Sequence, residues 1–162
     1  MPSSYEPTAL TLSIFERLTD ERPAVTIESA YERMAGLPDL TSSILTNLEA
    51  LLNTRRSDED FHPDFPEAND SVISYGVADF TSMSSADPSE RERMRRSIER
   101  AIRLFEPRLS HVEVSLSEWD SGVTAMRLRI EALLRTGSDS EPILLEAVMA
   151  KDSRHFRVIE GT

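Results

Sequence analysis

Between Met126 and Arg135 the chain alternates with a period of two. Met126, Leu128, Ile130, Ala132 and Leu134 are set off by Arg127, Arg129, Glu131 and Arg135. Successive side chains of a strand point to opposite faces, so this pattern requires a strand with one face on a core and one in water. Val112, Val114 and Leu116 alternate in the same way with Glu113 and Ser115. Between the two strands, Ser117 to Gly122 is a polar turn holding the single tryptophan, Trp119. Gly137 to Pro142 reads as a loop. Ile143 to Met149 and His155 to Ile159 read as a last hairpin around Lys151-Asp152-Ser153. Four successive strands joined by short connections predict an antiparallel meander.

The first half changes period. Leu40, Ile44, Leu45, Leu48, Leu51 and Leu52 form one wide helical stripe, with Asp39 or Thr41 as candidate caps and an end near Asn53. Asp87-Pro88-Ser89-Glu90 is a helix start: an acceptor at the cap, proline at the first helical position, and glutamate where a capping box places it. That helix runs to Phe105, where Glu106-Pro107 stops it. Met94, Ile98, Ala101, Ile102 and Phe105 share one arc, and Arg93, Arg96, Arg100 and Arg103 take the opposite side. Glu92–Arg96 and Glu99–Arg103 are spaced to pair along the helix. The arginine stripe reads either as a solvated face, one touching the acidic loop included, or as a docking face for an acidic partner.

The expected fold is therefore α+β: N-terminal helices packed on one face of a C-terminal antiparallel meander, in a single domain. Residues 40–162 make that domain. Residues 1–39 are a partly flexible leading segment. In it Leu10, Ile14 and Leu18 recur every four residues, as a terminal helix packed on its own domain or as a docking helix for a partner. The segment Ser71 to Thr81, with Gly76 at its centre, is a short strand or a tight turn over the core.

Composition removes several functions. A net charge of −11 opposes nucleic-acid binding, which needs a positive face for phosphates. Without cysteine there are no disulfides, thiolate nucleophiles or Cys-based metal sites. The five glycines are too scattered for a phosphate-cradling loop. No apolar run reaches the roughly 20 residues of a membrane span, and the N-terminus has neither the basic start nor the apolar core of a signal peptide. The expectation is a cytoplasmic protein.

Residues 57–70 form an acidic loop in which Asp58, Asp60, His62 and Asp64 alternate as calcium ligands do. However, Pro63 stands where the glycine belongs and Asn69 where the bidentate glutamate belongs. No metal or other cofactor is expected. His111 and His155 lie in strand patterns as structural or surface histidines, and no serine sits in a nucleophile elbow. Glu106 is the one glutamate in an unusual setting. Arg108 two residues on opposes the raised pKa that a general acid needs. Nothing in the residues demands an enzyme.

The order of segments is more specific than any one of them. A leucine-rich helix running into LLNTRR (51–56) precedes SVISYGVADF (71–80). A helix then leads into Glu106-Pro107-Arg108-Leu109, and the meander follows. From about residue 40 to the C-terminus this resembles the TssE family, the small wedge subunits of the type VI secretion baseplate. It is also similar to the phage tail baseplate wedge proteins often labelled lysozyme-like. The resemblance implies a non-enzymatic structural subunit, placed at the baseplate near the inner membrane. Its partners would be larger wedge proteins (TssF-like and TssG-like) and the contractile sheath subunits, whose polymerisation it would template. A peptidoglycan hydrolase is the alternative that the old label suggests, and a regulatory adaptor is a third. In this family Glu106, Pro107, Arg108 and Leu109 would contact the wedge partners; an internal ion pair fixing the helix–strand junction is the competing reading. Tyr75 and Gly76 read as structural, and Asn53 and Arg55 as capping and local bonding.

Overall fold

The computed structural model describes residues 37–56, 65–79, 87–116, 125–136, 139–150 and 155–161. Two helices, α1 (Leu37–Asn53) and α2 (Pro88–Phe105), lie on one face of a four-stranded sheet. Its strands are β1 (Leu109–Leu116), β2 (Ala125–Thr136), β3 (Asp139–Ala150) and β4 (Phe156–Glu160), in the order β1-β2-β3-β4 with every neighbour antiparallel. This is the expected α+β meander. The leading residues Leu10, Ile14 and Leu18, the ligand-like residues of 57–64 and the turn at Trp119 lie outside the described residues.

The core sits between the layers. From α1 come Leu40, Ile44, Leu48, Leu51 and Leu52; from α2 come Met94, Ile98, Ala101 and Ile102. The sheet contributes Val112, Val114, Met126, Leu128, Ile130, Leu145, Ala147, Phe156 and Val158, all buried. Each large aliphatic side chain buried here contributes about 1.5–3 kcal/mol. The charged alternates of β2, Arg127, Arg129, Glu131 and Arg135, are exposed on the opposite face. α2 covers the β1 side of the sheet and α1 the β4 side.

Four local expectations are corrected or settled. Helix α1 spans Leu37–Asn53, so Asp39 and Thr41 lie inside it and not at the position that precedes it. Pro38 falls in the first turn, where its missing N–H has no helical partner to lose. Strand β3 begins at Asp139, so Pro142 is inside it, paired in register with Leu133. It is tolerated because β4 pairs only with Leu145 to Met149. Gly161 N–H donates to the Leu144 carbonyl at 2.8 Å, so even-numbered residues of β3 turn their backbone away from β2. At Pro142 that side carries no strand among the described residues, and no ladder bond between them is lost. The segment from Ser71 to Asp79 is not a strand but a turn over the core, in which Val77 is buried and Tyr75 packs against the core. Pro66–Asp70 and Val72–Ser74 are two 3-10 turns, and Val72 and Ile73 point outward. Finally, β1 is not regular. Its register shifts between Ser110 and Glu113, and His111 has φ 52°, a bulge that puts two residues opposite one.

The start of α2 is as expected. Asp87 accepts hydrogen bonds from the N–H and hydroxyl of Ser89, at 2.8 and 2.7 Å. Those bonds hold the Asp87 carboxyl below its ordinary range.

Candidate functional site

The segments singled out in the sequence meet where the two helices end. α1 ends at Asn53, whose side chain reaches 103 positions along the chain. Its amide accepts from the Phe156 N–H at 2.7 Å and donates to the Phe156 carbonyl at 2.9 Å, while also donating to the Glu49 carbonyl at 2.8 Å. Glu49 accepts from the Val158 N–H at 3.1 Å. Asn53 therefore does more than the local bonding expected of it: a helix end pairs with β4 as another strand would.

The next residues hold the second segment. Val77 N–H donates to the Thr54 carbonyl at 2.9 Å, and Arg56 N–H to the Val77 carbonyl at 3.0 Å. Arg55 and Val77 thereby form a one-rung parallel bridge. Gly76 has φ 110° and packs so closely that a Cβ would collide with the Thr54 carbonyl oxygen, so only glycine fits. The Arg55 side chain turns outward to Asp79 at 3.3 Å. Tyr75 meets Phe105, the last residue of α2, edge to face with ring centroids 5.2 Å apart. Burial, then the Glu106 charge, raise the Tyr75 pKa.

Glu106 and Arg108 form the third segment. Glu106 leaves helical geometry with φ −125° and ψ 75°. Its carbonyl accepts from the Leu109 N–H at 3.1 Å, closing a turn around Pro107-Arg108. The Arg108 guanidinium grips both carboxylate oxygens of Glu106 at 2.6 Å, and its third nitrogen donates to the Ser43 hydroxyl of α1 at 2.7 Å. Glu106 is 2% exposed and the Arg108 side chain 15%. The bidentate fork suits a low-dielectric junction, where an unpaired charge would be costly. Leu109 is buried in the core, and Pro107 alone of the four is exposed. Both oxygens of Glu106 are engaged inside the fold, so it is not presented to a substrate.

These residues form one chain of contacts, from β4 through Asn53 and Thr54 to Gly76 and Tyr75, then through Phe105 to Glu106, Arg108 and back to α1 at Ser43. The protein-family model for baseplate wedge protein gp25 matches residues 38–139, which contain all three segments. The chain belongs to this baseplate wedge family. It is thus a baseplate protein of the phage tail type, and the role that goes with the family is structural, among other baseplate proteins. No curated protein matches the chain. Among the described residues of this wedge protein, no helix is long and apolar enough to cross a membrane. No group of three or more His, Asp or Glu among them is placed to hold a metal.

The arginine stripe of α2 is divided by its partners. Glu92 takes Arg95 in a fork at 2.8 Å and Arg96 at 2.6 Å. Glu99 takes Arg95 at 2.7 Å and Arg103 at 2.6 Å. Both expected pairs are present, and Arg95, not singled out in the sequence, joins them. The two arginines hold the Glu92 carboxyl at about 2. Arg103 also donates to the Val112 carbonyl of β1 at 2.9 Å, tying helix to strand. Arg100 meets Asp70, from the end of the acidic loop, at 3.4 Å. Arg93 is exposed.

The edges of the sheet differ in the same way. Val112 turns its carbonyl outward to Arg103, so Val114 and Leu116 also turn their backbone groups outward. Among the described residues nothing bonds those groups. On β4 the outward N–H and carbonyl of Phe156 are taken by Asn53, and the outward N–H of Val158 by Glu49.

Proposed function

We propose that this wedge protein is the TssE-type subunit of a type VI secretion baseplate. It acts without catalysis on the cytoplasmic side of the inner membrane. It joins the larger TssF-like and TssG-like wedge proteins and templates the first ring of the contractile sheath. The observation that carries this reading, beyond the family itself, is the asymmetry of the sheet. α1 bonds into the outer edge of β4 at Phe156 and Val158, whereas past Val112 no described residue bonds the outer edge of β1, and that edge is the place for an extended arm of a sheath subunit to add as a strand. Hydrogen bonds along the backbone would supply affinity there, and the existing twist would set the orientation of the next subunit.

The wedge contact falls on the Glu106–Leu109 turn. In this reading Glu106 and Arg108 act through Pro107: their buried pair fixes the turn so that the exposed proline is presented in one conformation, which lowers the ordering cost of binding.

Amide hydrogen exchange with and without the cognate sheath subunit tests the edge. Binding is expected to slow exchange at Val114 and Leu116 while Phe156 and Val158, already bonded, change little. Sheath binding with no slowing at Val114 and Leu116 would overturn the edge assignment. For the wedge contact, a Pro107→Ser variant is expected to keep its melting temperature while recovering less of the two larger wedge proteins in a pull-down. Full recovery would move the contact elsewhere.

A further inference from the structure

Helix α2 carries six of the chain's 18 basic residues and three of its 29 acidic ones, within 18 residues. This is a concentrated positive face on a protein of net charge −11. Its arginines are not equivalent. Arg95 is locked between Glu92 and Glu99, and Arg103 is committed to Glu99 and to the Val112 carbonyl. Arg96 gives only its Nε to Glu92; no described residue bonds its two terminal nitrogens, and its side chain is 72% exposed. Arg100 has a single long contact, to the 63%-exposed Asp70, which another carboxylate can displace at little cost. No described carboxylate pairs with Arg93. Arg96, Glu99, Arg100, Arg103 and Leu104 line a shallow groove of about 310 Å³, Leu104 being the apolar residue among them.

We infer that this groove docks an acidic segment of a partner protein, with carboxylates over Arg96 and Arg100 and one apolar side chain on Leu104. The forked guanidinium is suited to carboxylates. The face is short: from Arg93 to Arg100 is about 10 Å along the helix at 1.5 Å per residue. A long polyanion such as RNA or an anionic bilayer would extend past it onto the acidic remainder of the chain and be repelled. A short acidic peptide meets only the positive stretch. The inference stands on this charge distribution and does not depend on the sheath edge.

The test is a titration of the full-length protein with a labelled short peptide of glutamate, alanine and leucine. The controls are the same peptide with glutamine for glutamate, a short RNA, and vesicles rich in phosphatidylserine. The glutamate peptide is expected to bind with salt-sensitive affinity and to shift amide resonances around Arg96, Arg100 and Leu104. The double variant Arg96→Gln, Arg100→Gln is expected to weaken it about fivefold, the effect of losing two exposed ion pairs. Both sites are exposed, so the variant should melt as the parent does, which circular dichroism checks. Equal binding of the glutamine peptide, unchanged affinity of the double variant, or tighter binding of the RNA or vesicles at the same residues would each overturn the inference.

Discussion

Each helix hands over at a polar residue, Asn53 at the end of α1 and Glu106 just past the end of α2, and the two do opposite things. Asn53 reaches across the molecule and closes the edge of β4 with a side chain that imitates a neighbouring strand. Glu106 folds back two residues to Arg108, anchors the turn to α1 through Ser43, and feeds β1 into the sheet. Past Val112, the edge of β1 receives nothing from the described residues. One joint bonds into the edge of a strand; the other fixes where a strand begins, and past Val112 no described residue bonds that strand's edge. The comparison teaches that a meander with two formally equal edges is made directional by a few side chains of the covering helices.

The largest expected effect comes from breaking the second joint. Arg108→Ala leaves the Glu106 carboxylate buried and unpaired, so it should destabilise the isolated protein by about 3–5 kcal/mol. Urea denaturation measures this. A change under ~1 kcal/mol would mean that the pair does not secure the junction, and that its residues serve a partner instead. Replacing both by Glu106→Gln and Arg108→Met should recover much of the loss, because the buried charge goes with its partner.

Next comes the support of the first joint. Gly76→Ala forces a Cβ against the Thr54 carbonyl at a φ that side chains rarely adopt, and should destabilise by about 2–3 kcal/mol. If instead the melting temperature rises, as it does where glycine is merely flexible, the close approach to Thr54 is not real.

A cut at the first joint itself sharpens the contrast. Asn53→Ala removes two bonds from Phe156 and should destabilise by about 1–3 kcal/mol. Exchange of the Phe156 amide should accelerate more than that of β2 amides, which would make the β4 edge behave like that of β1. Uniform acceleration across the sheet would show that Asn53 supports the whole fold and does not seal an edge.

The smallest effect is expected away from both joints, on the exposed α2 surface. The Glu92 carboxyl sits at about 2 when folded, against an ordinary value of 4.5, because Arg95 and Arg96 bond it. Its folded pKa is depressed, so its contribution is present above pH 4.5 and is lost as pH falls towards 2. Denaturation midpoints measured through that window should fall less steeply for Glu92→Gln than for the parent. Identical slopes would mean that these ion pairs add nothing to folding.

Much of this could be read in advance where the deciding forces are local. The alternation in β2 is visible because burial of one face repeats every second residue. The start of α2 is visible because Asp87, Pro88 and Ser89 act within one turn. The i,i+4 pairs of α2 follow from helical spacing alone. The order of three short segments was enough to suggest the family, although their reason for occurring together was not visible. Tyr75, Gly76 and Asn53 read as local devices, and only the fold shows them joined to Phe105, Thr54 and Phe156. Pro142 reads as a loop residue, because nothing near it in sequence reveals that β4 stops short of it.

The sequence by itself thus determined the two layers, the strand order expected of a meander, and the helix that carries the arginines. Each is written in periodicities that a chain expresses through its nearest neighbours. Only the tertiary structure decided which sheet edge α1 bonds, which arginines are committed, and that Glu106 points into the fold and not out of it. Those outcomes depend on hydrogen bonds between residues far apart in the chain, whose partners exist only once the helices have packed on the sheet.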